Sequence, residues 1–263
     1  MRDPAADERA LLGIAAEAAL AAAEELLARF GADAAGVRSK STDTDLVSDA
    51  DLAAERAIRA LLSERRPDDA VLGEEGGESA GRRGALRWVV DPLDGTVNYL
   101  FGIPLFAVSV ACEDEAGALA GVVLDPLRQE CFAATRSGPA TLNGAPIHGS
   151  DCGELGRALI ATGFAYDSAQ RARQAAVLAR VLPAARDIRR VGAAALDLAW
   201  CACGRVDAYY ERAVKPWDVA AASLICRRAG LTVRALPASG AQAPGVLAAP
   251  PALVDALESL VGG

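Results

Sequence analysis

Histidine is almost absent from this 263-residue chain, and the one present, His148, lies in a Gly/Pro-rich stretch, Asn143-Gly-Ala-Pro-Ile-His-Gly149. That excludes a His-rich zinc centre and leaves a Ser-His-Asp triad only this one residue to build on, so His148 reads as a loop or strand residue. None of the six cysteines (Cys112, Cys131, Cys152, Cys201, Cys203, Cys226) forms a Cys-x-x-Cys pair, and most sit in apolar runs. They read as small hydrophobes of a reducing compartment. Basic charge is also short. A net charge of −8 provides no basic stripe for nucleic acid or an anionic membrane. The Ala/Leu stretch after Leu11 is broken by Glu17, Glu24 and Glu25, so it is not a membrane span. The acidic start (Asp3, Asp7, Glu8) is unlike a signal peptide, and the expected location is cytoplasmic.

What is abundant is apolar residue, 52% of the chain, enough for a large core. Asp7 to Phe30 reads as an Ala-rich helix stopped by Gly31. Ser48-Asp-Ala-Asp51 opens a second helix, which Pro67 ends. Val71-Leu72 leads into Gly73-Glu-Glu-Gly-Gly77, a strand edge turning into a loop. Trp88-Val-Val-Asp91 is a short strand ending at Pro92, and Phe106 to about Thr135 has the spacing of an antiparallel meander. Thereafter helices (Ser168 to Leu182, Ala193 to Cys203, Trp217 to Ala229, Pro251 to Val261) alternate with strands near Ile188, Val206–Glu211, Leu231 and Val246. The whole, 1–263, reads as one α/β unit with two sheet layers, its halves about 1–145 and 146–263.

Distant segments place acids where acids are costly. Asp91 follows an apolar run, Asp94 comes three residues later across a proline turn, Glu74 and Glu75 end another strand, and Asp218 opens an apolar helix. Such groups need a cation or hydrogen bonds to compensate them, and converging acids raise one another's pKa. Oxygen donors without His or Cys select Mg²⁺, Mn²⁺ or Ca²⁺. Asp94-Gly-Thr96 opens a helix, so the Gly95 and Thr96 N–H groups can face a phosphate, and the Thr96 hydroxyl can orient a water. Each acid also has a plainer reading: Asp94 and Asp218 as helix caps, Asp91-Pro92 as a turn, and Asp51 with Ser48 as a capping box. Glu75 and Asp49 read as solvated.

Trp88-Val-Val-Asp-Pro-Leu-Asp-Gly-Thr-Val-Asn98, followed by Gly102 and Pro104, resembles the first signature of the inositol monophosphatase family. Trp217-Asp-Val-Ala-Ala221 resembles its second, and Leu72-Gly-Glu-Glu75 and Lys40…Asp45-Leu-Val-Ser-Asp-Ala-Asp51 resemble two further segments in the family's order. The resemblance implies a layered αβαβα sandwich of the inositol monophosphatase and fructose-1,6-bisphosphatase type, usually homodimeric, commonly lithium-sensitive and dependent on two to three Mg²⁺ ions. It implies that Glu74, Asp91 and the Leu93 carbonyl hold the ion that activates water, and that Asp91, Asp94 and Asp218 hold a second. A third ion would sit near Glu74, its waters reaching Asp51, while Thr96 and Asp51 orient the attacking water. Glu211 and Gly192-Ala193-Ala194 would meet the substrate, with Asp94, Gly95, Thr96 and Asp218 on its phosphate side. The sequence departs from the family pattern at Ala193, Phe101, Arg228 and the pair Ser137 and Pro139, none of them a metal ligand.

The expected reaction is hydrolysis of a small alcohol monophosphate, foremost inositol-1-phosphate, by direct attack of water, since no nucleophile-plus-base pair supports a covalent route. Histidinol phosphate is the next substrate, then fructose-1,6-bisphosphate, a nucleotide 3′-phosphate or NADP; the sugar bisphosphate and nucleotide readings call for extra cations such as Arg189 or Arg190. The alternative outside enzymology is a regulatory binding protein on the same scaffold.

Overall fold

The computed structural model describes residues 4–31, 37–39, 46–82 and 85–262, so the Lys40 to Asp45 part of the sequence motif lies outside the described residues. The first half contains α1 (Pro4–Leu27), β1 (Arg38–Ser39), β2 (Leu46–Val47), α2 (Asp49–Arg65), β3 (Ala70–Gly73), β4 (Gly77–Ser79), β5 (Arg87–Asp94) and α3 (Thr96–Leu100). A meander follows: β6 (Ala107–Asp114), β7 (Gly117–Asp125), β8 (Glu130–Thr135), β9 (Thr141–Leu142) and β10 (Ala145–Pro146). The second half has a 3-10 turn at Leu155–Arg157, then β11 (Leu159–Thr162), α4 (Ser168–Val181), β12 (Asp187–Arg189) and α5 (Ala194–Ala202). It ends with β13 (Ala208–Arg212), α6 (Pro216–Arg228), β14 (Thr232–Leu236), β15 (Gly245–Ala249) and α7 (Val254–Val261).

The elements stack in five layers. An eight-stranded sheet, order β10-β9-β8-β7-β6-β5-β3-β4, is antiparallel except where β3 meets β5. A five-stranded sheet, order β12-β11-β13-β15-β14, is parallel across β12, β11 and β13 and antiparallel beyond. Helices α1 and α2 cover one face of the large sheet through Leu26, Ile58, Trp88 and Val90. Helices α5 and α6 fill the space between the sheets with Leu196, Leu198, Ile225 and Val89. Helices α4 and α7 close the outer face of the small sheet with Val177, Leu257 and Leu247. This is the αβαβα sandwich expected. β5 is buried on both faces, which is why it reads as an uninterrupted apolar run rather than an alternating one.

The structure extends β5 past the turn expected at Pro92. Asp91 pairs with Ser109 and Asp94 with Ala107, so three steps along β5 match two along β6. That one-residue bulge has a direct consequence. In a regular strand, residues three apart face opposite sides. Here both aspartates take the orientation of Ser109 and Ala107, which are two apart on one face. A proline is tolerated at such a bulge because it removes a donor where pairing is already interrupted. The sequence reading also lacked β11, the parallel neighbour of β13.

Helix α6 rests on the sheet through very small residues. A Cβ on Gly121 of β7 would lie 2.9 Å from Ala221 Cα and 3.1 Å from the Ala221 carbonyl oxygen, backbone atoms that cannot rotate away. Gly121→Ala is therefore expected to cost roughly 1–3 kcal/mol by overpacking, read as a lower urea midpoint; an unchanged midpoint contradicts the close helix-to-sheet contact.

Candidate active site

Beneath the C-terminal end of β5 lies a cavity of about 390 Å³ whose walls include Glu74, Asp91, Leu93, Asp94, Gly95, Thr96, Gly192, Ala194, Glu211 and Asp218. Acids from β5, the β3–β4 hairpin, β13 and the start of α6 thus line one cavity. Ser109 Oγ donates to the Trp217 carbonyl at 3.1 Å, tying the first turn of α6 to the bulged face that carries Asp91.

The plainer readings of Asp51 and Asp218 also hold, because these side chains serve two purposes. Asp51, 1% exposed, completes the capping box: its Oδ2 accepts from Ser48 N at 2.9 Å and Ser48 Oγ at 2.6 Å. Its Oδ1 meanwhile accepts from Thr96 Oγ1 at 3.0 Å. Thr96 Oγ1 also lies 3.1 Å from the Leu93 carbonyl, so one hydroxyl hydrogen serves two acceptors. Asp51 is not itself a wall of the cavity and reaches it through Thr96. Asp218 Oδ2 accepts from Lys215 N at 2.7 Å, a cap of its own helix.

Asp94 does cap a helix, but not the one it precedes. Gly95, at φ +95°, occupies the α3 cap position without a side-chain bond. The Asp94 carboxylate instead accepts from Ala194 N at 2.9 Å, Ala195 N at 2.8 Å and Leu196 N at 3.3 Å, the unsatisfied N–H groups at the start of α5. Position 193, the α5 cap, is an alanine that offers no side-chain acceptor, and Asp94 supplies one from a hundred residues away. Ala193 itself is corrected from the sequence-based placement: it is buried behind the wall, against Gly95, while Gly192 and Ala194 line the cavity.

Burial and mutual repulsion raise the acids. Asp91, 2% exposed, is held well above the carboxylate range by burial first, then by Glu74, Asp94 and Asp218. Burial pushes Asp94 up to about 7 against the pull of its three backbone donors. Asp218 is raised by burial, with Glu74, Asp94 and Glu211 adding to it. Glu211 is pushed to about 7 by burial, opposed by the Tyr209 hydroxyl, which donates to it at 2.6 Å. The donor set is all oxygen, which fits a hard divalent ion. Among the described residues no group of three or more His, Cys, Asp or Glu side chains is already placed to hold a metal ion. Mg²⁺ does not require one, since it is held by one or two carboxylates with waters and substrate phosphate oxygens.

Three residues escaped the sequence reading. Gly163, just after β11, makes room for Glu211: a Cβ there would lie 1.9 Å from Glu211 Oε2. The signal was present, a glycine ending the short apolar run Leu159-Ile-Ala-Thr162. Asp197, 1% exposed, sits near Glu211 and Asp94 with Oδ1 lacking a partner among the described residues. Glu55, 3% exposed, accepts from the backbone of the Glu74 loop. Of the two candidate cations, Arg190 lines the cavity and Arg189 is paired with Asp187 at 2.6 Å on the surface. Glu75 is half-buried, Asp49 is exposed, and neither is a wall of the cavity; His148 is an exposed loop residue away from it. All six cysteines are free thiols: Cys112, Cys201 and Cys226 are buried, the others half-buried. Among the described residues no helix is long and apolar enough to cross a membrane.

A carboxylate-lined cavity at a strand-to-helix turn between two sheets fits a hydrolase of phosphate esters. The inositol monophosphatase family model matches residues 7–258, and the chain belongs to that family. Inositol-1-monophosphatase of Mycobacterium leprae (strain TN) is 44% identical over 244 residues, covering 87% of this chain and 84% of the relative. Nus factor SuhB of Escherichia coli (strain K12) is 38% identical over 221 residues, 84% of this chain and 83% of the relative. The crystal structure of extragenic suppressor protein suhB from Bartonella henselae superposes with a TM-score of 0.89 at 34% identity, covering 96% of this chain and 98% of that one. The protein is a phosphomonoesterase of this family, whose members act on small phosphate monoesters and are generally metal-dependent.

The raised acids set a pH dependence. A carboxylate whose folded pKa lies above its unfolded value stabilises the fold below the unfolded pKa, and that contribution is lost as pH rises through the folded one. For Asp94 and Glu211 that window runs from the ordinary carboxylate range to about 7. The metal-free protein is expected to melt lower at pH 8 than at pH 5, and Mg²⁺ to raise the melting temperature more at pH 8. Melting curves with and without Mg²⁺ check this; an equal Mg²⁺ effect at both values contradicts it.

Proposed function

We propose that the chain is an Mg²⁺-dependent phosphatase that converts inositol-1-phosphate to inositol and phosphate by direct attack of water. The observation that carries this reading is the convergence of Glu74, Asp91, Asp94 and Asp218 on one cavity with the Thr96 hydroxyl. Glu74, Asp91, the Leu93 carbonyl, Asp94 and Asp218 would hold two to three Mg²⁺ ions. When bound, Mg²⁺ neutralises phosphate charge and lowers the pKa of water.

The chain's own residues do the positioning. Thr96 accepts a hydrogen bond from the attacking water while donating its own hydrogen to Asp51, so the pair fixes the water and holds its proton. Asp94 keeps lone pairs beyond those used by α5, so the carboxylate that caps the helix could also hold a cation that faces the substrate phosphate. Glu211, Gly192 and Ala194 face the alcohol, with Glu211 held by Tyr209 and given room by Gly163. The same reading comprises one domain over 1–263, a homodimer in the cytoplasm and lithium inhibition.

Two alternatives follow from particular observations. Arg190 and Lys215 on the cavity wall favour a substrate with a second anionic group, such as fructose-1,6-bisphosphate or a nucleotide 3′-phosphate. Histidinol phosphate lacks that group and competes with inositol-1-phosphate directly. The name Nus factor SuhB carried by relatives favours a regulatory role on this scaffold.

Phosphate release from these four substrates, with Mg²⁺ and with added lithium, tests the reading. Inositol-1-phosphate is expected to give the highest kcat/KM. Asp91→Asn is expected to lower kcat at least about a hundredfold, the scale for losing one preorganised charged group, with the fold intact. An Asn variant of near-normal activity contradicts the assignment.

A further inference from the structure

We infer that Glu55 is a positioning residue for Glu74, acting through the backbone of the β3–β4 hairpin; this rests on Glu74 being a metal ligand, as proposed above. Glu74 stands in a three-residue connection, Glu74-Glu75-Gly76, between Gly73 and Gly77, which pair with each other across the hairpin. Gly77, the first residue of β4 just after the loop, adopts φ +64°, the left-handed conformation that favours glycine. Three glycines in five residues leave this backbone little intrinsic preference for one shape. β4 is moreover the outermost strand of its sheet and exposed along its whole length, so neighbouring strands restrain the tip only from one side.

The restraint comes from α2. Glu55 Oε2 accepts from Glu75 N at 2.7 Å and Oε1 accepts from Gly76 N at 2.8 Å, so one carboxylate takes two successive amides immediately after Glu74. Arg59, one helical turn on, donates Nε to Glu55 Oε1 at 2.6 Å and Nη2 to the Gly77 carbonyl at 2.6 Å. The loop is thus gripped on both sides of Gly76. The glycines admit the carboxylate: a Cβ at Gly73 or at Gly76 would lie 2.6 Å from Glu55 Oε1. Asp51 and Glu55 stand four residues apart and share a face of α2. One reaches Thr96 and the other the Glu74 loop, so a single helix sets the spacing between the water-orienting hydroxyl and the proposed ligand.

Groups that orient a ligand without touching the ion typically change metal affinity 10–100-fold when altered. The test uses Glu55→Gln, which keeps the side chain's size but sets an NH₂ against one of the two loop amides. Gly76→Ala disturbs the same contact from the loop side. The dissociation constant of Mg²⁺ alone is measured by calorimetry, beside the metal-free melting temperature and the ratio of kcat to half-saturating Mg²⁺ in phosphate release. The expected result is an Mg²⁺ dissociation constant raised about tenfold or more in both variants, with the Mg²⁺ requirement moving further than kcat at saturation. A lowered melting temperature with unchanged Mg²⁺ affinity would make Glu55 a purely structural residue and overturn the inference. Glu74→Gln separates the two levels. If it weakens Mg²⁺ binding and Glu55→Gln does not, the positioning role falls alone; if neither does, the assignment of Glu74 falls with it.

Discussion

Like charges crowded away from water constrain this structure more than any other feature. Asp91, Asp94 and Asp218 are each raised by burial first; Glu74, Asp94 and Asp218 add to Asp91, Glu74, Asp94 and Glu211 add to Asp218, and Glu211 adds to Asp94. A fold assembled for stability alone has no reason to bring four acids from three elements to one cavity. The bulge in β5 is the backbone feature that makes it possible, turning Asp91 and Asp94 to one side of a strand that would otherwise separate them.

The chain lowers the cost of this crowding with backbone donors. Asp94 takes the first N–H groups of α5, Asp218 the Lys215 amide, Asp51 the start of α2 and Glu55 the Glu74 hairpin. Each carboxylate is fixed by a hydrogen bond that also completes a piece of secondary structure. Capping and chemistry are therefore not rival explanations here. A helix end supplies a rigid, partly positive partner that holds an acid in place without neutralising it fully.

Much of this was legible in the sequence, for local reasons. Ser48 and Asp51 are three apart, so their capping box is visible in the spacing, and Trp88-Val-Val-Asp91 shows an acid against an apolar run. The partners of Asp94 were not legible, because the α5 amides lie a hundred residues on and only tertiary packing brings them together. The family resemblance implied Ala193 as a substrate contact, yet beside the turn at Gly192, at φ +91°, it is buried in the core. Glu55 looked like an ordinary helix acid, since nothing near it in sequence indicates the hairpin it grips. Gly163 and β11 were missed because a four-residue strand in a parallel sheet has no alternation to reveal it.

The most direct test of the central claim is anomalous diffraction from crystals soaked in Mn²⁺, with phosphate added as the product. The account predicts ion density inside the cavity, bounded by the carboxylates of Asp91 and Asp218 with Glu74 to one side. A cavity without ions in crystals whose dissolved protein still hydrolyses substrate, or ion density only elsewhere on the chain, would contradict it.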